Sequence, residues 1–515
     1  MIRKLKEDKR SLFILICSLL WGFAAHGMAM LNKYSYHDDV PHFNWVGETY
    51  GLGRWGLGVA GTLTEKLFAS RNYSLPLING ILTIAAIAVM VYLICLKTEI
   101  NDRFLIASLT GVMVCFPAVT NIFGYVFTAP QYYIASMLGV LGAFIFYSKK
   151  NIRSMTVCVL LMAVSTGVYQ SNIPVNLMIL LLFMLYEVYE RDMSRKEYII
   201  LGVKNAVICA AFMIVYFLVN SVFLAVTGQD MYDYKGVSTF GRTGPAGYLY
   251  RIYTAYKRFI KPADYINYNG VSANMFPWNL KYLHMLLVLL TLVLIVWLLK
   301  KKFSLEKSVQ LLILVLVSPL FSYFFYVMVA EEDAHGGMAY GEVFMFTVAA
   351  FFVCRAMAEK DGKKDRMPLF AKCLTVIMLM MAVMFARFAN VCYLKAGIMQ
   401  AEAINYYNRL IERIETTEGY TKDTPVLYVE GRSKNDDDFS GNKLFDPIYL
   451  PPYQGNSIIN DFSWEETMNM WCGFSRVTAP DDLADTQEVK DMPVYPEPGS
   501  IKMIDKTLVV KFADR

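Results

Sequence analysis

Charge is scarce in this sequence. Asp, Glu, Lys and Arg make up 18% of 515 residues and hydrophobic residues 56%, whereas soluble domains carry about 25% charged residues. A string of soluble domains is therefore excluded, and the positive mean hydropathy of +0.37 points to a polytopic membrane protein. The net charge of +5 is modest, and the basic residues fall in short clusters between apolar runs. They report topology, and nucleic acid is set aside as a partner. Also missing are a glycine-rich phosphate loop, a zinc-spaced Cys/His set and a Gly-x-Ser-x-Gly elbow. A disulfide framework is not indicated either. Of the 9 cysteines, all but Cys472 lie in apolar runs, where they act as small hydrophobes.

What the chain does have is apolar runs. About eleven are long enough to cross a hydrocarbon core of about 30 Å. They are Ser11 to Leu31, Ser74 to Leu96, Phe104 to Ile122, Phe127 to Tyr147, Val203 to Thr227, Tyr282 to Leu299, Ser308 to Ala330, Tyr340 to Ala356 and Leu369 to Tyr393. Two more share Ser154 to Tyr189, broken at Tyr169 to Pro174 by polar side chains and a proline. The basic start, Arg3 to Arg10, resembles a signal peptide, but no small-residue cleavage site follows the first run, which is expected to be a retained helix.

Lys and Arg accumulate in alternate loops. One set holds Lys97 and Arg103; Lys149, Lys150 and Arg153; Arg191, Arg195 and Lys196; and Lys300 to Lys302. The other includes Ile122 to Val126, Gln170 to Ile173 and Glu331 to Ala339, with neither residue. The first set is expected to be cytoplasmic, with the N-terminus, and the tail beyond Lys395 extracytoplasmic. That tail turns polar. Met399, Ala403, Tyr407, Leu410, Ile411 and Ile414 recur at helical spacing, so Ala396 to Thr417 is expected to be an amphipathic helix. Thr424 to Glu430, Ser500 to Ile504 and Leu508 to Phe512 look like short strands. The expected architecture is an all-α polytopic membrane domain, residues 1–393, with a small extracytoplasmic α/β domain, residues 394–515.

A polar stretch at a helix mouth follows the first run: Asn-Lys-Tyr-Ser-Tyr-His-Asp-Asp from Asn32, then Gly-Leu-Gly-Arg-Trp-Gly-Leu-Gly from Gly51 to Gly58. An isolated Asp-Asp is as often a solvated acidic loop. Here Asp38 and Asp39 share the stretch with His37, His42, Glu48 and Arg54, among Trp45, Tyr50 and Trp55, and polar groups held at a membrane surface are usually functional. Nucleotide-sugars and ATP are cytoplasmic, so group transfer on the outer face calls for a substrate already activated in the membrane, such as a polyprenyl-phosphate sugar. That chemistry needs a carboxylate to take a proton from the acceptor hydroxyl and cations for the leaving phosphate. Asp38 and Asp39 supply the first. Arg54, the long-loop residues Arg242, Arg251, Lys257, Arg258 and Lys261, and Arg387, about two turns from the end of the last span, are candidates for the second.

The Tyr-Ser-Tyr-His-Asp-Asp box, Gly-Arg-Trp-Gly-Leu-Gly, and Gly167-Val168-Tyr169-Gln170-Ser171 closing a helix together resemble the Gtr type II glucosyltransferases, membrane enzymes of GT-C architecture. The resemblance covers roughly Ser11 to Tyr393. It implies transfer of a glucosyl or related hexosyl unit from an undecaprenyl-phosphate carrier to a surface glycan, such as an O-antigen or a cell-wall polysaccharide, in a bacterial plasma membrane. It matches Asp38 and Asp39 to the catalytic acid position of the first outer loop and leaves open which is the base. His37, Trp55, Gln131, Tyr132, Tyr169, Gln170, Arg258 and Arg387 join Arg54 as candidate substrate contacts. No cofactor is fixed, and a divalent metal stays open.

His335, after Glu331, Glu332 and Asp333, is conceivable as a metal ligand, but the spacing matches no defined metal motif and a solvated acidic turn is the commoner case. His26 and His284 lie on apolar runs and are expected to pack there. Trp45, Trp55 and Trp278 are the better candidates for stacking on a sugar. The chief competing reading is a transporter or flippase of lipid-linked glycans. Against it stand the absence of an internal repeat of spans and of charged pairs mid-membrane in both halves.

Overall fold

The structure is a computed structural model that describes residues 8–34, 36–40, 49–69, 74–191, 193–233, 241–242, 244–261, 278–301, 304–328, 336–359, 367–430, 459 and 462–514. The chain divides into two compact units, one of Met1–Lys33 and Asn44–Val391, the other of Tyr34–Phe43 and Cys392–Arg515. In chain order the first holds α1 (Arg10–Leu31), α2 (Trp55–Phe68), α3 (Pro76–Thr98), α4 (Arg103–Cys115), α5 (Pro117–Ile122), α6 (Ala129–Lys149), α7 (Ile152–Val168) and α8 (Asn172–Glu190). It continues with α9 (Arg195–Thr227), α10 (Pro245–Ile260), α11 (Trp278–Lys301), α12 (Leu305–Ser322), α13 (Phe324–Met328), α14 (Phe344–Ala358) and most of the first half of α15 (Met367–Glu415).

Among the described residues, 10 helical spans are long and apolar enough to cross a membrane, two of them composite, Arg103–Tyr125 through α4 and α5 and Gly336–Ala358 ending in α14, and α7 adds an apolar helix of 17 residues. The expected polytopic all-α architecture is present. Large apolar side chains such as Leu218, Val222 and Val226 on α9 and Leu289 on α11 stay exposed, as suits a surface that meets lipid tails. Its details follow local chemistry. The span expected from Phe104 to Ile122 is split, because Phe116, ahead of Pro117, is held at φ −52°, ψ 138° and cannot continue α4. The break in the long run falls at Tyr169, which is extended at φ −155°, and Pro174 is tolerated inside the first turn of α8.

Three expectations change. Trp55–Phe68 and Pro245–Ile260 are helices where loops were expected. The amphipathic helix from Ala396 is not separate: α15 runs unbroken through 49 residues, supplying the last apolar span and the first helix of the second unit. Nothing between Tyr393 and Ala396 breaks it, and Gly397 lies under the ring of Tyr34.

One end of the first unit carries the lysine- and arginine-rich segments. Helices starting there are capped by side chains that accept backbone N–H groups: Asp102 on α4, Asn151 on α7, Ser194 on α9 and Ser304 on α12. The carboxylate of Glu187, 1% exposed, takes Lys97 Nζ at 2.7 Å, Arg191 Nε at 3.1 Å and the Lys150 ammonium. Arg355 Nε meets Glu190 Oε1 at 2.7 Å, and its Nη2 donates to Thr98 O at 2.9 Å. These basic residues thus join α3, α6, α8 and α14.

In the second unit a four-stranded sheet has the order β2-β1-β4-β3, with β1 Pro425–Val429, β2 Val477–Thr478, β3 Ile501–Ile504 and β4 Thr507–Lys511. β1 pairs parallel with β2 and β4, and β3–β4 is an antiparallel hairpin turning at Asp505, φ 52°. Both sheet faces are covered. Val426, Tyr428, Leu508 and Val510 pack on the Met399–Ile414 stripe of α15, while Leu427, Val429 and Val509 pack on Ala484, Val489 and Met492. Parallel strands buried on two sides explain why β1 and β4 are apolar runs.

Glu187→Gln removes the carboxylate shared by three cations. Breaking a buried pair costs about 3–5 kcal/mol, and less here because Arg191 and Lys150 reach solvent. The melting midpoint of the purified protein is expected to fall and to recover partly in Glu187→Gln/Lys97→Met; an unchanged midpoint would show the cluster to be energetically idle.

Candidate functional site

At the opposite end of the first unit, two short glycine-bearing segments meet. The turn before α2 is closed by Gly53 N–H donating to Tyr50 O at 2.8 Å and Arg54 N–H donating to Thr49 O at 2.8 Å. Gly53 sits at φ 72°, where a side chain is strained, and a Cβ there would lie 2.7 Å from the Tyr216 hydroxyl. Gln170 Nε2 donates to Leu52 O at 2.6 Å and to the Tyr216 hydroxyl at 3.2 Å, and that hydroxyl donates to Gly53 O at 3.1 Å. Two side chains therefore read the backbone of the turn. One turn later Gly56 lies against the end of α7: a Cβ on Gly56 would be 2.9 Å from Val168 N, and one on Gly167 would be 2.3 Å from the Trp55 indole. Trp55 lies flat on Gly167 and, with Tyr50, is stacked on Phe223, at centroid separations of 5.9 and 5.2 Å.

This packing aims Arg54. Its Nη1 donates to the Tyr132 hydroxyl at 3.2 Å and its guanidinium carbon is 5.2 Å from the Tyr169 ring centroid. The Tyr132 and Tyr169 rings are stacked at 4.0 Å, 7° from parallel, and both are nearly buried. Behind them Ser136 Oγ donates to Asn172 Oδ1 at 2.6 Å, and Asn172 Nδ2 donates to Ser165 O at 3.1 Å. The result is a half-buried guanidinium on a rigid aromatic and amide support. Arginine keeps its charge, presents donors in a planar fork and stacks on rings, which suits it to phosphate or carboxylate. Lys33, just past α1, donates to Ser74 Oγ at 3.2 Å, and burial pushes its ammonium down to about 7.

Arg54, Trp55, Tyr132, Tyr169 and Gln170 are thus brought together, with Gln131 half-buried beside Tyr132. Tyr216, Phe223 and Gln229, whose Oε1 accepts Gly51 N–H at 3.1 Å, were not anticipated; the two aromatics stand in an apolar run with nothing local to mark them, and Gln229 lies just past its end, after Gly228. Other candidates lie elsewhere. Arg387 is on an exposed face of α15, and none of the hydrogen bonds just described reaches it. Arg258 on α10 has its guanidinium 4.2 Å over the Tyr326 ring. His42, Trp45, Glu48, the Glu331 to His335 turn and the side chain of Trp278 fall outside the described residues. Among the described residues no group of three His, Cys, Asp or Glu side chains is placed to hold a metal ion.

Asp38 and Asp39 belong to the second unit. They form a 3₁₀ turn, His37–Asp39, in which Asp39 N–H donates to Tyr36 O at 2.8 Å. Tyr36, 1% exposed, is part of the core that contains Met399, Ala403 and Tyr407. The acids differ in setting: Asp39 is fully buried, Asp38 half-buried. His26 and His284 are packed helix residues, with Nε2 2.9 Å from Val114 O and Phe259 O respectively.

A methyl at residue 167 has no space, and overpacking costs about 1–3 kcal/mol. Gly167→Ala is expected to lower the thermal midpoint of the purified protein, whereas Gly202→Ala, whose Cβ would meet Met184 at an ordinary 3.8 Å, leaves it in place. Equal midpoints in the two variants would contradict the close approach of α2 and α7.

Searches of curated proteins and of solved structures find no match for this chain. The sequence model of the glucosyl transferase GtrII family matches residues 27–346, a span that contains the Arg54 turn, the Tyr132–Tyr169 stack and the Gln170 contact; the chain belongs to this family of glucosyltransferases.

Proposed function

We propose that this glucosyltransferase takes a glucosyl unit from a polyprenyl-phosphate carrier and passes it to a surface glycan on the extracytoplasmic face of a bacterial plasma membrane. The observation that carries the reading is Arg54, a guanidinium fixed on the Tyr132–Tyr169 stack at the end of the helices away from the lysine-rich segments. A preorganised cation of this kind is what a departing phosphate requires. The alternation of Lys and Arg along the loops supports the orientation, with the N-terminus cytoplasmic.

In this reading the acid pair supplies the general base. One carboxylate of Asp38 or Asp39 takes the proton of an acceptor hydroxyl as its oxygen forms the new bond to the sugar's anomeric carbon. The bond from that carbon to the phosphate oxygen breaks, and its electron pair stays on the phosphate. Their unequal burial favours unequal roles, one carboxylate as base and the other holding the turn or the acceptor. Tyr132, Tyr169 and Gln170 act as positioning residues for Arg54, and Trp55 is packed too closely on Gly167 to offer both faces to a sugar.

The test is glucosyl transfer by folded, purified protein supplied with polyprenyl-phosphate glucose and a glycan acceptor. Replacing the base is expected to lower kcat by about 10²–10⁴-fold, so one of Asp38→Asn and Asp39→Asn should fall in that range. Arg54→Ala is expected to raise the donor KM and lower kcat, and Arg54→Lys to restore little, because an ammonium has neither the fork nor the ring stack. Near wild-type turnover in all of these variants would remove both roles.

A further inference from the structure

Helix α10 has no part in the Arg54 cluster, and its surface is the reverse of what a helix in water shows. It connects the ends of α9 and α11 that lie away from the lysine-rich segments. Its 16 residues, about 24 Å at 1.5 Å each, are too short to span a hydrocarbon core of about 30 Å. Leu249, Tyr250, Tyr253 and Ile260 are exposed at 71%, 61%, 62% and 49%. At 3.6 residues per turn they fall within about 100° of the helix circumference, one continuous apolar stripe. Arg251 and Arg258, half-buried, lie on the other side, where the Arg258 guanidinium is 4.2 Å over the Tyr326 ring. A surface helix in water hides its apolar stripe and shows its charges; α10 does the opposite.

Two hydrogen bonds fix its depth. The Tyr256 hydroxyl donates to Leu316 O at 2.5 Å, and Leu316 stands six residues, about 9 Å along the helix, before the end of α12 at Ser322. His284 Nε2 is 2.9 Å from Phe259 O, four residues, about 6 Å, inside the apolar span that begins at Leu280. Both depths fall in the range, about 5–10 Å, at which the apolar face of an interfacial helix rests.

The end of this helix is basic. Between Pro245 and Lys281 the sequence holds Arg251, Lys257, Arg258, Lys261 and Lys281 against one acid, Asp264. The Lys261 and Lys281 ammonium groups come close enough to repel, a crowding that an anion relieves. Among the described residues no carboxylate pairs with Lys257, Lys261 or Lys281. The dipole at the α10 C-terminus carries about half a negative charge, which these cations outweigh. Lys257, one turn past Tyr253, continues the exposed stripe, so its stem can rest on hydrocarbon while its ammonium reaches the headgroups.

We propose that α10 lies in the plane of the membrane with Leu249, Tyr250, Tyr253 and Ile260 among the acyl chains, and that Lys257, Lys261 and Lys281 hold the phosphate of an anionic phospholipid such as phosphatidylglycerol. This is a site for bulk lipid, separate from Arg54, the cation proposed for the carrier. A soluble anion or an anionic glycan would leave the apolar stripe in water, which favours the lipid. Which leaflet is involved rests on the orientation given above; the seating of the helix does not.

The probes are phosphatidylglycerol and phosphatidylcholine with the same diazirine-tagged acyl chain, each added in trace amount to phosphatidylcholine nanodiscs that hold the full-length protein, with adducts mapped by mass spectrometry. Such discs present the same lipids on both sides, so neither the orientation nor glucosyl transfer enters the result. Both probes are expected to label the stripe, and phosphatidylglycerol to do so about fivefold or more above phosphatidylcholine, the gain of one lysine at an anionic surface. The excess is expected to shrink as salt is raised and to vanish in Lys257→Gln/Lys261→Gln/Lys281→Gln, while phosphatidylcholine still labels the stripe and so reports a folded variant. No adducts on the stripe from either probe would put α10 in water and overturn its seating. Equal labelling of the unmutated protein by the two lipids would overturn headgroup recognition. Loss of the excess to inorganic phosphate at constant ionic strength would make the lysines a general anion site, and loss to dextran sulfate but not to dextran would assign them to an anionic glycan; either result would remove the phospholipid.

Discussion

The approach of Gly56 to Gly167 sets where Arg54 can stand. Any side chain at either position would drive α2 and α7 apart. Because Trp55 and Arg54 are consecutive, laying the indole on Gly167 leaves the guanidinium directed at Tyr132 and Tyr169. The strained turn ahead of it is held by Gln170 and Tyr216 through backbone carbonyls, so the arginine is preorganised by contacts that a ligand need not supply. In the proposed reaction, a cation already in position would cost no reorganisation when charge develops.

The two ends of the first unit use charge differently. At the basic end, cations are spent on structure: Glu187 gathers Lys97, Lys150 and Arg191, and Arg355 ties α14 to α3 and α8. The residues that mark topology in the sequence are thus also the clamps between helices. At the other end, Arg54 rests on the Tyr132 hydroxyl and the Tyr169 ring.

The second unit is more than a tail. Tyr36 belongs to its core, so the Asp38–Asp39 turn, only a few residues past the first membrane helix, folds with the sheet and with the end of α15. The family match ends at residue 346, yet the setting of the acid pair depends on residues beyond Cys392. A carboxylate held in a packed turn keeps one geometry, which a base needs if it is to meet a proton within hydrogen-bond reach.

The sequence by itself determined the apolar helices, the break at Tyr169, the Met399–Ile414 stripe and three strands of the second unit, β1, β3 and β4, but not the two-residue β2. Each is a local property: the transfer free energy of a run of side chains, a proline, or a period repeated within one window. It also held the polar motifs from which the chemistry was inferred. The tertiary structure alone decided which of those residues share a place. Tyr216 and Gly53 are 163 residues apart, Arg387 faces outward because of the rotation of α15, and Tyr36 joins the second unit because Met399, Ala403 and Tyr407 bury it there. No local window records such pairings, because they depend on how whole helices pack, and that packing is set by many weak contacts acting together.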